Sequence, residues 1–218
     1  MDQELHQIRQ RLLEMGGIVE EMVGSAMASL VERDSELARR VVERDREVDR
    51  LEKSIDETCV TVMATRQPTA SDLRFLVVSM KIVNDLERMG DSAKNIAQSA
   101  LVVNLEPQLK PYIDLPHMAQ LTREMVHDCL DAFVQRDSRL AREVWQRDDT
   151  IDALYHQLFR ELLTYMIEQP KTASIALHLL LIALNLERVA DHATNICEDV
   201  IYFVDGADIR HQATHYEP

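Results

Sequence analysis

The strongest constraint on this chain is a stretch that it contains twice. Leu86-Glu87-Arg88-Met89-Gly90-Asp91-Ser92-Ala93-Lys94-Asn95-Ile96 returns one hundred residues later as Leu186-Glu187-Arg188-Val189-Ala190-Asp191-His192-Ala193-Thr194-Asn195-Ile196, with seven of eleven positions identical. On a helix, residues four apart lie one above the other on the same face. Each copy therefore stacks a Glu on an Asp (87 and 91, 187 and 191), with Asn95 or Asn195 a turn further on. Leu and Ile point to the neighbouring face. The result is a helix with one apolar side and one acidic side, written in duplicate.

The duplication extends beyond the motif. Met22-Val23 matches Met125-Val126, Arg33-Asp34-Ser35 matches Arg136-Asp137-Ser138, and Arg44-Asp45 matches Arg147-Asp148. Gln67-Pro68 then reappears as Gln169-Pro170. Ordered matching over this length marks an internal repeat. Between the copies, Pro107, Pro111 and Pro116 stop helices and make a stiff connector, so the expected units are 1–106 and 107–218.

Hydrophobic residues recur at threes and fours in each copy, which predicts three amphipathic helices per unit. The expected spans are 3–32, 35–65 and 70–103, then 118–135, 138–168 and 172–205. Thr69 and Asp72 resemble a capping box at the start of the third helix, and Gly206 closes the last one as a C′ glycine. Gly16-Gly17 inside the first pattern points to a bend or a close helix approach. The expected fold class is all-α, two tandem, pseudo-symmetric three-helix bundles. Only five glycines and six prolines in 218 residues leave little material for turns, in keeping with long helices.

A formal charge of −14 repels phosphate backbones and anionic headgroups, which argues against nucleic acid as a partner. The N-terminus lacks the basic and apolar regions of a signal peptide. The apolar run 175–186 is too short to span a bilayer. Cys59, Cys129 and Cys197 lie far apart in apolar helical contexts, the pattern of buried reduced thiols. The expectation is a cytoplasmic protein without membrane insertion. His178 reads as a core or interface residue, His192 as a surface one and Trp145 as packing. The polar tail with His211 and His215 carries no expected chemistry.

Each unit also has a second acidic pair, Asp45/Asp49 or Asp148/Asp152, in its middle helix. Both pairs of a unit lie about 20 residues from the Gln-Pro turn, or ~30 Å along their helices. A short turn makes these helices antiparallel neighbours, so the pairs come level. If their faces converge, four carboxylates meet at one place. Like charges at i and i+4 repel by a few tenths of a kcal/mol, and a counter-charge is needed. The residues leave three solutions open: Arg88, Arg188, Arg44 or Arg147; a metal; or plain solvation of an acidic face. All-oxygen donors select hard cations such as Mg, Ca, Mn or oxidised Fe. No phosphate-cradling glycine loop, nucleophile elbow or Cys/His pair occurs, so no catalytic residue is assigned. A metal-dependent enzyme or metal-storage protein is the alternative class, using the same carboxylates.

The duplicated three-helix unit, the Gln-Pro turn followed by Asp72-Leu73-Arg74, and the Asn/Asp-Leu-Glu-Arg-x-x-Asp-x-x-x-Asn-Ile motif resemble the PhoU family of bacterial phosphate-uptake regulators across nearly the whole length. The resemblance implies multinuclear metal clusters, iron in some members, on Asp45/Asp49 with Glu87/Asp91 and on Asp148/Asp152 with Glu187/Asp191. It also implies a non-enzymatic, dimeric accessory protein that contacts a phosphate transporter ATPase and a membrane sensor histidine kinase. Such a protein damps the phosphate-starvation response. Two departures set the halves apart: Asp85 becomes Asn185, and no Asp-Leu-Arg follows Pro170.

Overall fold

A computed structural model of the chain describes residues 1–206, so the tail histidines lie outside the described residues. Seven α-helices and one 3₁₀ turn, Pro170–Thr172, account for the fold, with no strand among the described residues. The first half holds α1 (Asp2–Val31), α2 (Ser35–Arg66) and α3 (Ala70–Val103). The second holds α4 (Asp114–Gln135), α5 (Ser138–Trp145), α6 (Asp148–Glu168) and α7 (Ala173–Asp205).

Local chemistry sets the ends. Arg33 and Arg136 adopt left-handed backbone at φ 57° and 55°. After each, an aspartate caps the next helix. Asp34 accepts from the backbone N–H groups of Glu36 and Leu37, and Asp137 from those of Arg139 and Leu140. Each cap satisfies donors that the helix leaves orphaned. The Thr69–Asp72 capping box is reciprocal, and Gly206 takes φ 71°.

Two expected spans are revised. The fourth helix starts at Asp114 rather than 118, because Pro116 sits in its first turn, where a missing N–H breaks no helical bond. The stretch 138–168 is two helices, broken at Gln146-Arg147. No Gly or Pro marks that break. The Arg147 N–H instead bonds the Val144 carbonyl at 2.9 Å, a tight 3₁₀ closure. Its guanidinium reaches Asp128 of α4 at 2.6 Å. Asp148 and Asp149 thereby fall in the first turn of α6, where the helix dipole favours negative charge.

The halves are not separate in space. One hydrophobic cluster runs through both, from Ile8 to Phe203. Phe75, Phe133 and Phe203, from α3, α4 and α7, group with ring centroids 5.5–6.4 Å apart. A Cβ on Gly16 would lie 2.0 Å from Leu130 Cδ1, so α1 meets α4 closely there, while Gly17 faces open space. Lys81–Asp199, Asp85–Asn195 and Asn95–Asn185 contacts step in opposite directions along α3 and α7, which makes the two helices antiparallel. The last two contacts exchange under the repeat, and so place a pseudo-two-fold axis between the helices. With its leading turn, α7 is long and apolar enough to cross a membrane by length and composition, more than the run 175–186 alone indicates. Much of that surface is buried core here: Ile175, Ala176, Leu179, Ile182, Ala183 and Leu186 are all buried.

Candidate functional site: two acidic faces

The carboxylates sit where the middle and last helices of each half meet. In the second half all four predicted residues interact. Burial, reinforced by the charges of Asp191, Asp152 and Glu187, pushes Asp148 up to about 7. Burial followed by Asp191 and Asp152 takes Glu187 to about 7 as well. Asp152 is raised by burial against the opposing pull of His156. Asp191 is exposed overall, yet partial desolvation of its carboxyl and the charge of Asp152 raise it too. Carboxylates that disfavour one another's ionisation share a confined space. Asp148 Oδ1 is buried and has no hydrogen-bond partner.

The first half is built differently. Asp45 is 5% exposed, and the Lys94 ammonium lies 2.6 Å from its Oδ2 and 3.4 Å from Asp91 Oδ1. Glu87 is raised by burial and by Asp91, Glu52 and Asp49. Glu52 is raised by burial, Asp56 and Asp49. The mutually repelling set here is therefore Asp49, Glu52, Glu87 and Asp91, while Asp45 is paired with the lysine. Sequence reasoning missed Glu52 and Asp56. Their spacing from Asp49 along one face of α2 was a readable signal, but Tyr155 and Phe159 replace them in the second copy and hide it. Among the described residues, no group of three His, Cys, Asp or Glu side chains is arranged as a ready-made metal cage. A cation would have to draw the carboxylates together.

The arginine candidates divide as well. Arg44 turns to Glu21 of α1 at 2.5 Å and to Glu47 at 3.6 Å, and Arg147 to Asp128. Arg88 lies 3.6 Å from Glu87. The charge of Arg188 acts on Glu187 and Asp191 and that of His156 on Asp152, each opposing the rise that burial and the neighbouring carboxylates cause. The donor set of the second half, all oxygen with one buried oxygen orphaned, fits a hard cation. The first half fits less well, because an ammonium already holds Asp45.

His192 is not a surface residue. It is half-buried, and its Nδ1 lies 2.9 Å from Asp85 Oδ1, a partner supplied by the facing helix rather than by its own sequence neighbours. Asp85 also accepts from Asn195 Nδ2 at 3.5 Å. At the related position, Asn185 accepts from Asn95 and donates to the Leu181 carbonyl. His178 is half-buried, with Nδ1 unpartnered. Trp145 packs against the core and donates from Nε1 to Glu198. All three cysteines are buried and free. Burial lifts Cys59 to about 12 and Cys129 and Cys197 well above the ordinary thiol range.

Fold and site together define a class: an all-helical protein of two pseudo-symmetric halves, each carrying an acidic face between its middle and last helices. The PhoU domain model matches residues 12–100 and 115–200, one match per half. The chain belongs to the PhoU family. It is 46% identical over 209 residues to the phosphate-specific transport system accessory protein PhoU homolog of Pseudomonas putida, covering 95% of this chain and 82% of that one. The Escherichia coli accessory protein PhoU is 40% identical over 208 residues, 95% and 86% of the two chains. The crystal structure of PhoU from Pseudomonas aeruginosa superposes with a TM-score of 0.91 at 42% identity, covering 94% of this chain and 99% of that one. The phosphate transport system regulatory protein PhoU from Streptococcus pneumoniae gives 0.88 at 33% identity, covering 95% and 98%.

Proposed function

We propose that this chain is a regulatory accessory protein of a phosphate transport system. It is a cytoplasmic, non-enzymatic adaptor that contacts the transporter ATPase and a sensor histidine kinase and represses the phosphate-starvation response when phosphate is abundant. The observation that carries this reading is 40–46% identity over 95% of the chain to proteins named as such accessory proteins. A body of packed helices supports it, since rigid faces bind partners with little ordering entropy. Deleting the gene should leave alkaline phosphatase expressed in phosphate-rich medium. Undiminished repression in the deletion strain overturns the reading. Pull-down from phosphate-replete cells tests the two partners, and sedimentation tests the homodimer.

We also propose that the acidic faces hold hard metal ions: Fe, Mn, Mg or Ca. Asp148, Asp152, Glu187 and Asp191 would hold the ion in the second half, and Asp49, Glu87 and Asp91 with Glu52 in the first. A bound cation adds positive charge between the carboxylates and braces the middle helix against the last. Metal analysis after changing Asp148, Asp152, Glu187 and Asp191 to Ala tests this. Metal content equal to that of the unaltered protein removes the second-half site.

A further inference from the structure

We propose that Lys94 is a built-in cation, occupying in the first half the position that a metal ion takes between Asp148 and Asp191 in the second. This rests on the metal reading above and adds which half leaves that position open. One of the differences between the two acidic faces lies three positions beyond the second acid. Lys94 follows Asp91 by three positions, and Thr194 stands at the same distance from Asp191.

The consequences are visible on both sides. Lys94 Nζ bridges α2 and α3, 2.6 Å from Asp45 and 3.4 Å from Asp91. Thr194 instead turns its hydroxyl back to donate to the Asp191 carbonyl at 2.6 Å, and contributes no charge. Asp148, the counterpart of Asp45, keeps a buried oxygen without a partner. A buried carboxylate oxygen left unpaired is unfavourable. One half relieves this with a tethered ammonium, the other with a charge drawn from solution. The two solutions compete, because an ammonium that already occupies one oxygen each of Asp45 and Asp91 repels a hard cation at the same place. Asp49, Glu52 and Glu87 have no ion pair to Lys94 and are unaffected by this competition.

The repeat supplies a reciprocal experiment with Mn²⁺ as the probe, read by equilibrium dialysis and electron paramagnetic resonance. Lys94→Thr should bind about one Mn²⁺ per chain more than the unaltered protein, and adding Asp45→Asn should abolish the gain. In EDTA its Tm should fall, and Mn²⁺ should restore it. Thr194→Lys should lose the ion held at Asp148 and melt higher in EDTA, with helicity checked by circular dichroism. It keeps the proposal testable if Lys94→Thr fails to fold. Unchanged Mn²⁺ content in Lys94→Thr or in Thr194→Lys, with the unaltered protein binding the ion, overturns the role of Lys94 alone. No Mn²⁺ in any of the proteins overturns the metal reading and this inference with it.

Discussion

At the scale of single residues, the second-half acids make stability depend on pH with a definite sign. Asp148 and Glu187 are raised to about 7 from ordinary values of 3.8 and 4.5. An acid with a higher pKa in the folded than in the unfolded chain binds protons better when folded. Its stabilising contribution is fully present below the unfolded pKa and is lost as pH rises through the folded one. Metal-free protein in EDTA should therefore show a Tm that declines between about pH 4 and 7, and Asp148→Asn should flatten the decline. Metal binding runs the other way. Ligating carboxylates must be deprotonated, so affinity rises with pH over the same range. A second residue prediction concerns Gly16, which sits against Leu130. Gly16→Val should displace the buried Leu130 side chain and destabilise by roughly 1–3 kcal/mol, whereas Gly17→Val, facing open space, should be neutral or slightly stabilising, because valine has the higher helix propensity. Denaturant midpoints compare the two.

At the scale of elements, the helix ends carry more of the design than the helix interiors. Asp34 and Asp137 occupy equivalent places after left-handed arginines and accept the same pair of backbone donors. Asp34→Ala and Asp137→Ala should each destabilise by about 1 kcal/mol, and because the sites are distant their effects should add in the double variant. Chemical denaturation with an unchanged m-value checks this. Elements also show where reading by pattern stopped. The α5–α6 break contains no helix-breaking residue, and the equivalent stretch of α2 runs unbroken. Arg147 reaches Asp128 of α4, yet its counterpart Arg44 reaches Glu21 of α1 without a break, so the ion pair alone does not account for the interruption. Pro116 stood out as a helix stop, but its position in a first turn turned the same residue into part of a helix start.

At the scale of the whole molecule, the repeats are two in sequence and one in packing. Buried residues of all seven helices belong to a single cluster. Residues 1–106 alone would expose the faces of α1 and α3 that meet α4 and α7. That fragment should lack a cooperative melting transition and bind a hydrophobic dye, as a loosely packed helical state does. Sharp, dye-free melting of the fragment would show the halves to be independent domains.

The repeat, the helix periods, the cap at Thr69 and the positions of eight carboxylates along their helices were legible from residues alone, because each depends on the order of residues within the chain. What the neighbouring helices do to those carboxylates was not. That Lys94 pairs with Asp45, that the charge of Glu52 acts on Glu87, and that His192 finds Asp85 are interactions across 49, 35 and 107 positions. The chain specifies by itself which side of each helix is acidic and that there are two such sides. The packing of α2 on α3, α6 on α7 and α3 on α7 decided which charges meet. Electrostatic partners are set by distance in space, and that distance exists only once the helices have docked.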